Sequence, residues 1–298
     1  MPINMHAHSL FSVDGWQTPE ELVERQAERG VTVLSLTDHN ALAGLSRCRA
    51  RAEALGMRFV DGVELDAFWQ GEELHFLAFG FDPAHAGLRA LCERQFAQYP
   101  LNYARIHPIV EQRCGVDRAT LIRALPTLYP THPAPVLNKW FARAYLEHSG
   151  LFPNVEAARA AMKAMVAEAE RDVPQPWDWV SFEAARDAAH AAGGILLLAH
   201  VASYRRGDWA GQAALIESLL AAGLDGFELY HPSNTREPHF SSMEDAARRW
   251  GCAVSGGADS HGALEPRTKP APPDFVAPDW LVATLDSALA RAGASPMG

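Results

Sequence analysis

Short apolar runs and amphipathic stretches alternate over residues 2–80 of this chain. Thr18 can cap a helix that opens on Pro19, carries Glu20 and Glu21 in its first turn, turns Leu22, Val23 and Ala27 to one face, and stops at Gly30. Val31 to Leu36 is then a short apolar run bounded by Gly30 and Thr37-Asp38-His39, which predicts a strand buried on both faces. Phe59–Glu64 and Leu74–Phe79 predict two more strands, the second with His75 inside it. The alternation resumes at 181. Ser181 can cap a helix running to Gly193, Ile195–Ala199 is a strand ending at His200, and Leu215–Ala222 is helical. Gly226–Tyr230 and Cys252–Ser255 are further strands, the last running into Gly256-Gly257-Ala258-Asp259-Ser260-His261. Pro270, Pro272 and Pro273 predict a loop before a last helix near 279–292.

Residues 83–180 have another texture. Prolines are scattered from Pro83 to Pro153, an Ala-rich stretch runs from Val155 to Glu170, and strand signals are few. The expected organisation is an α/β layer built from 1–82 and 181–298, with 83–180 a mostly helical insertion covering the end that carries the active site.

Composition narrows the class without naming a function. With 298 residues the chain can bury a large core, and 48% hydrophobic with 21% charged content is ordinary for a soluble globular protein. The net charge of −10 disfavours binding to long nucleic acid, where affinity comes mainly from neutralising phosphates. Cys48, Cys92, Cys114 and Cys252 form no C-x-x-C pair and read as reduced thiols. No run of about 18 apolar residues is present and the N-terminal residues lack a secretory pattern, so a cytoplasmic monomer is expected.

What changes the picture is where the imidazoles and carboxylates fall. His39, Glu64, His200, Asp259 and His261 each stand at or just after an apolar run, where α/β folds gather functional groups. His6-Ala7-His8 has the period-two spacing that puts two imidazoles on one face of a strand, and Asp14 follows in the next loop. A single His-x-His, or His75 alone in a strand, is usually surface or satisfied core. Several such residues at successive strand ends need partners if buried. Imidazole with carboxylate suits Zn, Mn or Fe, and a shared carboxylate can bridge two ions, so a multinuclear hydrolytic centre is expected. Asp38 has two even readings, orienting a metal-bound histidine or capping the next helix.

The segments Asn4-Met5-His6-Ala7-His8-Ser9, Val13-Asp14-Gly15, Leu36-Thr37-Asp38-His39, Asp61-Gly62-Val63-Glu64, His75-Phe76-Leu77-Ala78-Phe79-Gly80, Leu198-Ala199-His200 and Gly257-Ala258-Asp259-Ser260-His261 together resemble the PHP (polymerase and histidinol phosphatase) phosphoesterases. Nearest in appearance is the branch of 3′,5′-nucleoside bisphosphate phosphatases and oligoribonucleases; a related branch hydrolyses a cyclic ribosyl phosphate. The resemblance implies a distorted (β/α)7 barrel and two to three divalent ions, Mn first, then Fe or Zn. It implies that His6, His8, Glu64 and Asp259 hold one ion, that Glu64 bridges to a second held by His75 and His200, and that Asp14, His39 and His261 hold a third. The implied reaction is hydrolysis of a small phosphorylated metabolite or nucleotide by a metal-bridging hydroxide, with a nucleoside bisphosphate monoester as first choice. His6, His8, Glu64, Asp259 and His261 would carry the chemistry. A phosphodiesterase acting on a cyclic phosphate or short oligonucleotide comes second. A non-phosphate hydrolase with the same centre, or a non-catalytic metal-binding module, would come after that.

The substrate side departs from the family pattern. Asn138-Lys139-Trp140 stands where relatives carry Arg-x-His, and the loop after His200 is Val201-Ala202-Ser203-Tyr204 with Arg205 and Arg206 shifted along. Arginine grips phosphate with a planar fork that Asn and Trp lack. Lys139, Arg143, Arg205 and His231 are the candidate substrate contacts, and Asn4, where relatives carry Asp, is expected to stand behind a ligand.

Overall fold

The computed structural model describes residues 1–128, 135–173, 179–262 and 276–294. The loop expected around Pro270, Pro272 and Pro273 lies outside the described residues. In chain order the elements are β1 (Ile3–Asn4), α1 (Pro19–Glu28), β2 (Val33–Leu36), α2 (Leu45–Ala54), β3 (Arg58–Trp69), β4 (Glu72–Phe79), α3 (Ala86–Phe96), α4 (Gln98–Cys114), α5 (Arg118–Leu128), α6 (Lys139–His148), α7 (Val155–Asp172), α8 (Phe182–Ala191), β5 (Ile195–Leu198), α9 (Trp209–Ala221), β6 (Gly226–Tyr230), α10 (Phe240–Trp250), β7 (Ala253–Gly256) and α11 (Asp279–Ala292). The chain forms two compact units, Met1–Glu93 with Val180–Gly298, and Arg94–Trp179.

The first unit holds a mixed α/β fold around a seven-stranded sheet in the order β1-β2-β3-β4-β5-β6-β7. β1, β2 and β3 are parallel, β4 is antiparallel to both β3 and β5, and β5, β6 and β7 are parallel again. Val33–Leu36 and Ile195–Leu198 are buried at every residue, as expected of strands covered on both faces. β3 runs five residues past the predicted end at Glu64 and turns directly into β4. Gln70 (φ 51°) and Gly71 (φ 86°) make the two-residue turn, both in the left-handed region that matches strand twist.

β1 and β7 are not partners in the sheet, but the segments just beyond them are joined. Met5 N donates to Gly256 O (3.0 Å), His8 N to Ser260 O (2.8 Å) and Asp259 N to His6 O (2.9 Å). Asn4 Oδ1 reinforces this seam by accepting from Ala258 N at 3.0 Å. The approach is close enough that a Cβ on Gly257 would lie 2.5 Å from His6 N, so only glycine fits there. The seam brings the His6-Ala7-His8 segment against Asp259-Ser260-His261.

Helix starts follow local chemistry. α1 has a full capping box between Thr18 and Glu21, α8 is capped by Ser181, and α9 by Asp208, so that α9 starts at Trp209, six residues before its predicted start at Leu215. The second unit is built of helices α4–α7 with the end of α3, and no strand occurs among its described residues. Its interior includes Tyr103, Ile106, Leu121, Phe141, Met162 and Met165.

Candidate metal centre

Every donor anticipated from the sequence lies in the first unit, and most stand just past the end of a strand. His6 and His8 follow β1, His39 follows β2, His200 follows β5, and Asp259 and His261 follow β7; Glu64 and His75 face each other's neighbourhood from β3 and β4. The backbone is bent to deliver them. His200 (φ 29°) and Asp259 (φ 52°) occupy the left-handed region, as does Asn40 (φ 49°) beside His39, a cost that folds tolerate at functional sites.

Glu64 is the hub. Its Oε2 lies 3.1 Å from His6 Nε2, 3.2 Å from His8 Nε2 and 3.3 Å from His39 Nε2. Its Oε1 lies 3.0 Å from His75 Nδ1 and 3.2 Å from His200 Nε2. Asp259 Oδ1 sits 3.1 Å from His8 Nε2 and 3.4 Å from His6 Nε2. Asp14 Oδ2 sits 3.0 Å from His261 Nε2 and 3.7 Å from His39 Nε2.

Three donor groups meet with ligand atoms within 4.8 Å of one another: His6, His8, Glu64 and Asp259; His8, Asp14, His39 and His261; and His39, Glu64 and His75. The first is the set expected for one ion. The second is the expected set of Asp14, His39 and His261 with His8 added. In the third His39 takes the place expected for His200, although His200 keeps its contact to Glu64.

Two buried carboxylates were not anticipated. Glu228, wholly buried in β6, contacts His6 Nδ1 at 3.0 Å and accepts from His200 N at 2.9 Å. Asp66, two residues beyond Glu64 on the same face of β3, has Oδ1 3.3 Å from His39 Nδ1 and 3.4 Å from His75 Nε2, and Oδ2 accepts from Asn40 Nδ2 at 2.7 Å. A charge inside the short apolar strand Gly226–Tyr230 is the signal that marks Glu228, because such a group needs a partner. Asp38 follows neither reading given to it: its carboxylate accepts from Ser9 N (2.6 Å) and Ser9 Oγ (2.7 Å), pinning the loop after His8.

Burial opposes charge throughout, and opposite charges decide the outcome. Burial alone would depress His6, His39, His75 and His261, but the surrounding carboxylates outweigh it and raise all four, His261 to about 9. Burial would likewise raise Asp14, Glu64, Glu228 and Asp259, yet facing imidazoles hold all four below the usual carboxylate range. His200 is lowered because burial wins, and burial pushes Asp38 up to about 6. Excess negative charge buried in this way attracts cations. The donors are all nitrogen and oxygen, which fits Mn, Fe or Zn and gives no sulfur preference.

The candidate substrate contacts are dispersed. His231 follows β6, with Nδ1 facing Ser233 Oγ (2.6 Å) and accepting from Ser233 N (3.1 Å), and Nε2 3.6 Å from Asp259 Oδ2. Arg205 makes a two-pronged ion pair with Glu72, 2.5 Å on each arm. Lys139 and Arg143 lie on α6 of the second unit. Asn138 caps that helix by accepting from Phe141 N (2.8 Å), Lys139 Nζ stands 4.3 Å from the centre of the Trp140 ring, and Arg143 Nε is 3.4 Å from Glu147. The Asn138-Lys139-Trp140 triplet therefore has a local structural role.

Comparison with known proteins agrees with this geometry. The family model of the PHP domain matches residues 4–122. A phosphoribosyl 1,2-cyclic phosphate 1,2-diphosphodiesterase of Eggerthella lenta is 32% identical over 87% of this chain and 94% of its own length. A 3′,5′-nucleoside bisphosphate phosphatase of Chromobacterium violaceum is 28% identical over 88% of each chain. A solved structure from Bifidobacterium adolescentis has the same fold, with a TM-score of 0.77, 23% identity and 96% of each chain covered. The donor groups arrayed around Glu64, the order of the strands that carry them and the extent of these matches agree: the chain belongs to the PHP domain family of metal-dependent phosphoesterases.

Proposed function

We propose that this phosphoester hydrolase acts on the monoester of a small phosphorylated nucleotide, a nucleoside 3′,5′-bisphosphate being the first choice, with two to three divalent ions, Mn foremost. The observation that carries the proposal is Glu64 facing five imidazoles with its two oxygens, since one carboxylate shared in this way sets ions side by side. Bound there, divalent ions supply a water of lowered pKa and neutralise charge on the phosphoryl oxygens.

The chain's own residues do the rest. His6, His8, Asp14, His39, Glu64, His75, His200, Asp259 and His261 would act as donors, and His39 belongs to two of the groups. The seam hydrogen bonds fix the spacing of the His6–His8 segment against Asp259 and His261. The Ser233 N–H donates to His231 Nδ1, which leaves the ring proton on Nε2, the nitrogen directed at Asp259. In this neutral form His231 would offer the Nε2–H as a hydrogen bond to a phosphoryl or leaving-group oxygen beside Asp259, without giving the proton up. Arg205 must leave Glu72 before it can grip a phosphate. The small size of the substrate agrees with the names of the two relatives described above, and no helix among the described residues is long and apolar enough to cross a membrane.

The 32% identity to the cyclic phosphate enzyme favours a second reading, a diesterase. Phosphate release with Mn from nucleoside 3′,5′-bisphosphates, 5′-mononucleotides and a ribosyl 1,2-cyclic phosphate separates the two. Turnover of the bisphosphate is expected to exceed that of the cyclic ester at least about tenfold, about 1.4 kcal/mol in transition-state binding. The reverse order transfers the assignment to the diesterase.

A further inference from the structure

We infer that Glu228 is a positioning residue that serves two ions of the centre at once, an inference that rests on the metal-centre reading above. No part of Glu228 is exposed. Its Oε1 lies 3.0 Å from His6 Nδ1, and its Oε2 accepts from His200 N at 2.9 Å. His6 belongs to the donor group of Asp259, whereas His200 reaches the opposite oxygen of Glu64. The strand end carrying Glu228 is itself fixed. Asn234 Nδ2 donates to the carbonyls of Glu228 (2.8 Å) and Leu229 (3.2 Å), and Asn234 Oδ1 accepts from Ala202 N (2.9 Å), which ties the loop after His200 to the end of β6.

The chemistry of each contact is specific. An ionised carboxylate only accepts hydrogen bonds, so the hydrogen of the His6 contact sits on Nδ1. The lone pair of a neutral ring is then on Nε2, which stands 3.1 Å from Glu64 Oε2 and 3.4 Å from Asp259 Oδ1. A neutral imidazole ligates through that unprotonated nitrogen, and a partner on the other nitrogen fixes both tautomer and ring direction. At His200 the bond goes to the backbone. A φ of 29° is one that a residue with a side chain holds only under constraint, and the accepting Oε2 supplies it. With that backbone held, His200 Nε2 stays 3.2 Å from Glu64 Oε1.

A glutamine has the same shape but a different inventory. Its amide oxygen can accept from one of these two donors, and its NH2 group then faces the other donor. Glu228→Gln therefore satisfies both only if His6 moves its proton to Nε2, the nitrogen needed for a ligand; with His6 protonated on Nδ1, it satisfies His6 or His200 but not both. A carboxylate that merely stapled the fold would make the same contacts, but its loss would lower stability without moving ion affinity.

The test is equilibrium titration of the full chain with Zn(II) against a chromophoric chelator, for the unsubstituted protein and Glu228→Gln. The expected result is a rise of about 10- to 100-fold in the dissociation constant of one or both of the ions that His6 and His200 serve, with the ion of Asp14, His39 and His261 unmoved. Nitrogen NMR of the histidine-labelled, zinc-loaded unsubstituted protein should show His6 with its proton on Nδ1; this measurement decides alone if the variant fails to fold. Unchanged ion affinity with a lower melting temperature, or His6 protonated on Nε2, overturns the role. If the unsubstituted protein binds no ion, the reading of the centre falls instead, and that failure is visible without any substitution.

Discussion

Glu64→Ala should lower metal-dependent phosphate release by at least about three orders of magnitude, about 4 kcal/mol of transition-state stabilisation, and should leave the protein short of two ions. Glu64 is 1% exposed, and its two oxygens reach His6, His8, His39, His75 and His200, members of more than one donor group. Removing it deletes a shared ligand and leaves imidazoles facing a hole. Their charged forms, raised now by Glu64, lose their largest attractive partner at His39. Loss of a terminal donor such as His261 should be milder, because its contacts involve Asp14 and Asp259. Steady-state phosphate release with elemental analysis of the same samples checks both parts. A Glu64→Ala protein that keeps its full ion content, or more than about a tenth of the turnover, contradicts the hub assignment.

The second large effect is a reversal of pH dependence on chelation. His6, His39, His75 and His261 are raised in the folded protein, so the stability they contribute is fully present below the unfolded imidazole pKa of about 6.5 and is lost as pH rises through the folded values. His261, raised to about 9, loses its share between about 6.5 and 9. That share is at most about 3 kcal/mol by linkage, and less in practice because its side chain is 19% exposed. Asp14, Glu64, Glu228 and Asp259 are depressed, so their contribution is present above about 4 and is lost on acidification. The chelated protein should therefore be most stable between about pH 4 and 6.5 and weaken towards pH 9. Divalent ions need neutral imidazoles and displace those protons, so ion binding should stabilise the fold increasingly as pH rises. Urea unfolding at pH 5.5 and 8.5, with chelator and with Mn, measures the difference directly. A chelated protein that gains stability from pH 6.5 to 9 contradicts this electrostatic account.

Of the proposed donors, His39, His200, Asp259 and His261 were legible because they follow apolar runs with clear ends. Ile195–Leu198 before His200 and Val33–Leu36 before His39 are the plainest cases. Two helices were not anticipated. α2 reads Leu-Ser-Arg-Cys-Arg-Ala-Arg-Ala-Glu-Ala, where three arginines interrupt a narrow buried stripe of Leu45, Cys48 and Ala52. α10 carries Phe240, Met243, Ala246, Ala247 and Trp250 on one helical face, with Met243, Ala246 and Ala247 buried, so its periodicity is legible in the sequence even though the helix was not anticipated. The antiparallel β4 depends on a Gln70-Gly71 turn rather than the usual Asn-Gly signal. Glu228 and Asp66 escaped because positioning groups carry no motif of their own; tertiary pairing across the sheet creates their role. Asn138 drew attention as a missing arginine, while its neighbours Lys139 and Trp140 pack on each other and Asn138 itself caps α6.

A multinuclear centre around Glu64 fixes the ion stoichiometry of the purified protein, which can be measured without a substrate. The purified protein would be equilibrated with Mn, freed of loosely held ions by gel filtration, and its metal measured by elemental analysis against protein concentration. Two to three ions per chain are expected, and a content of one ion or none rules the multinuclear centre out.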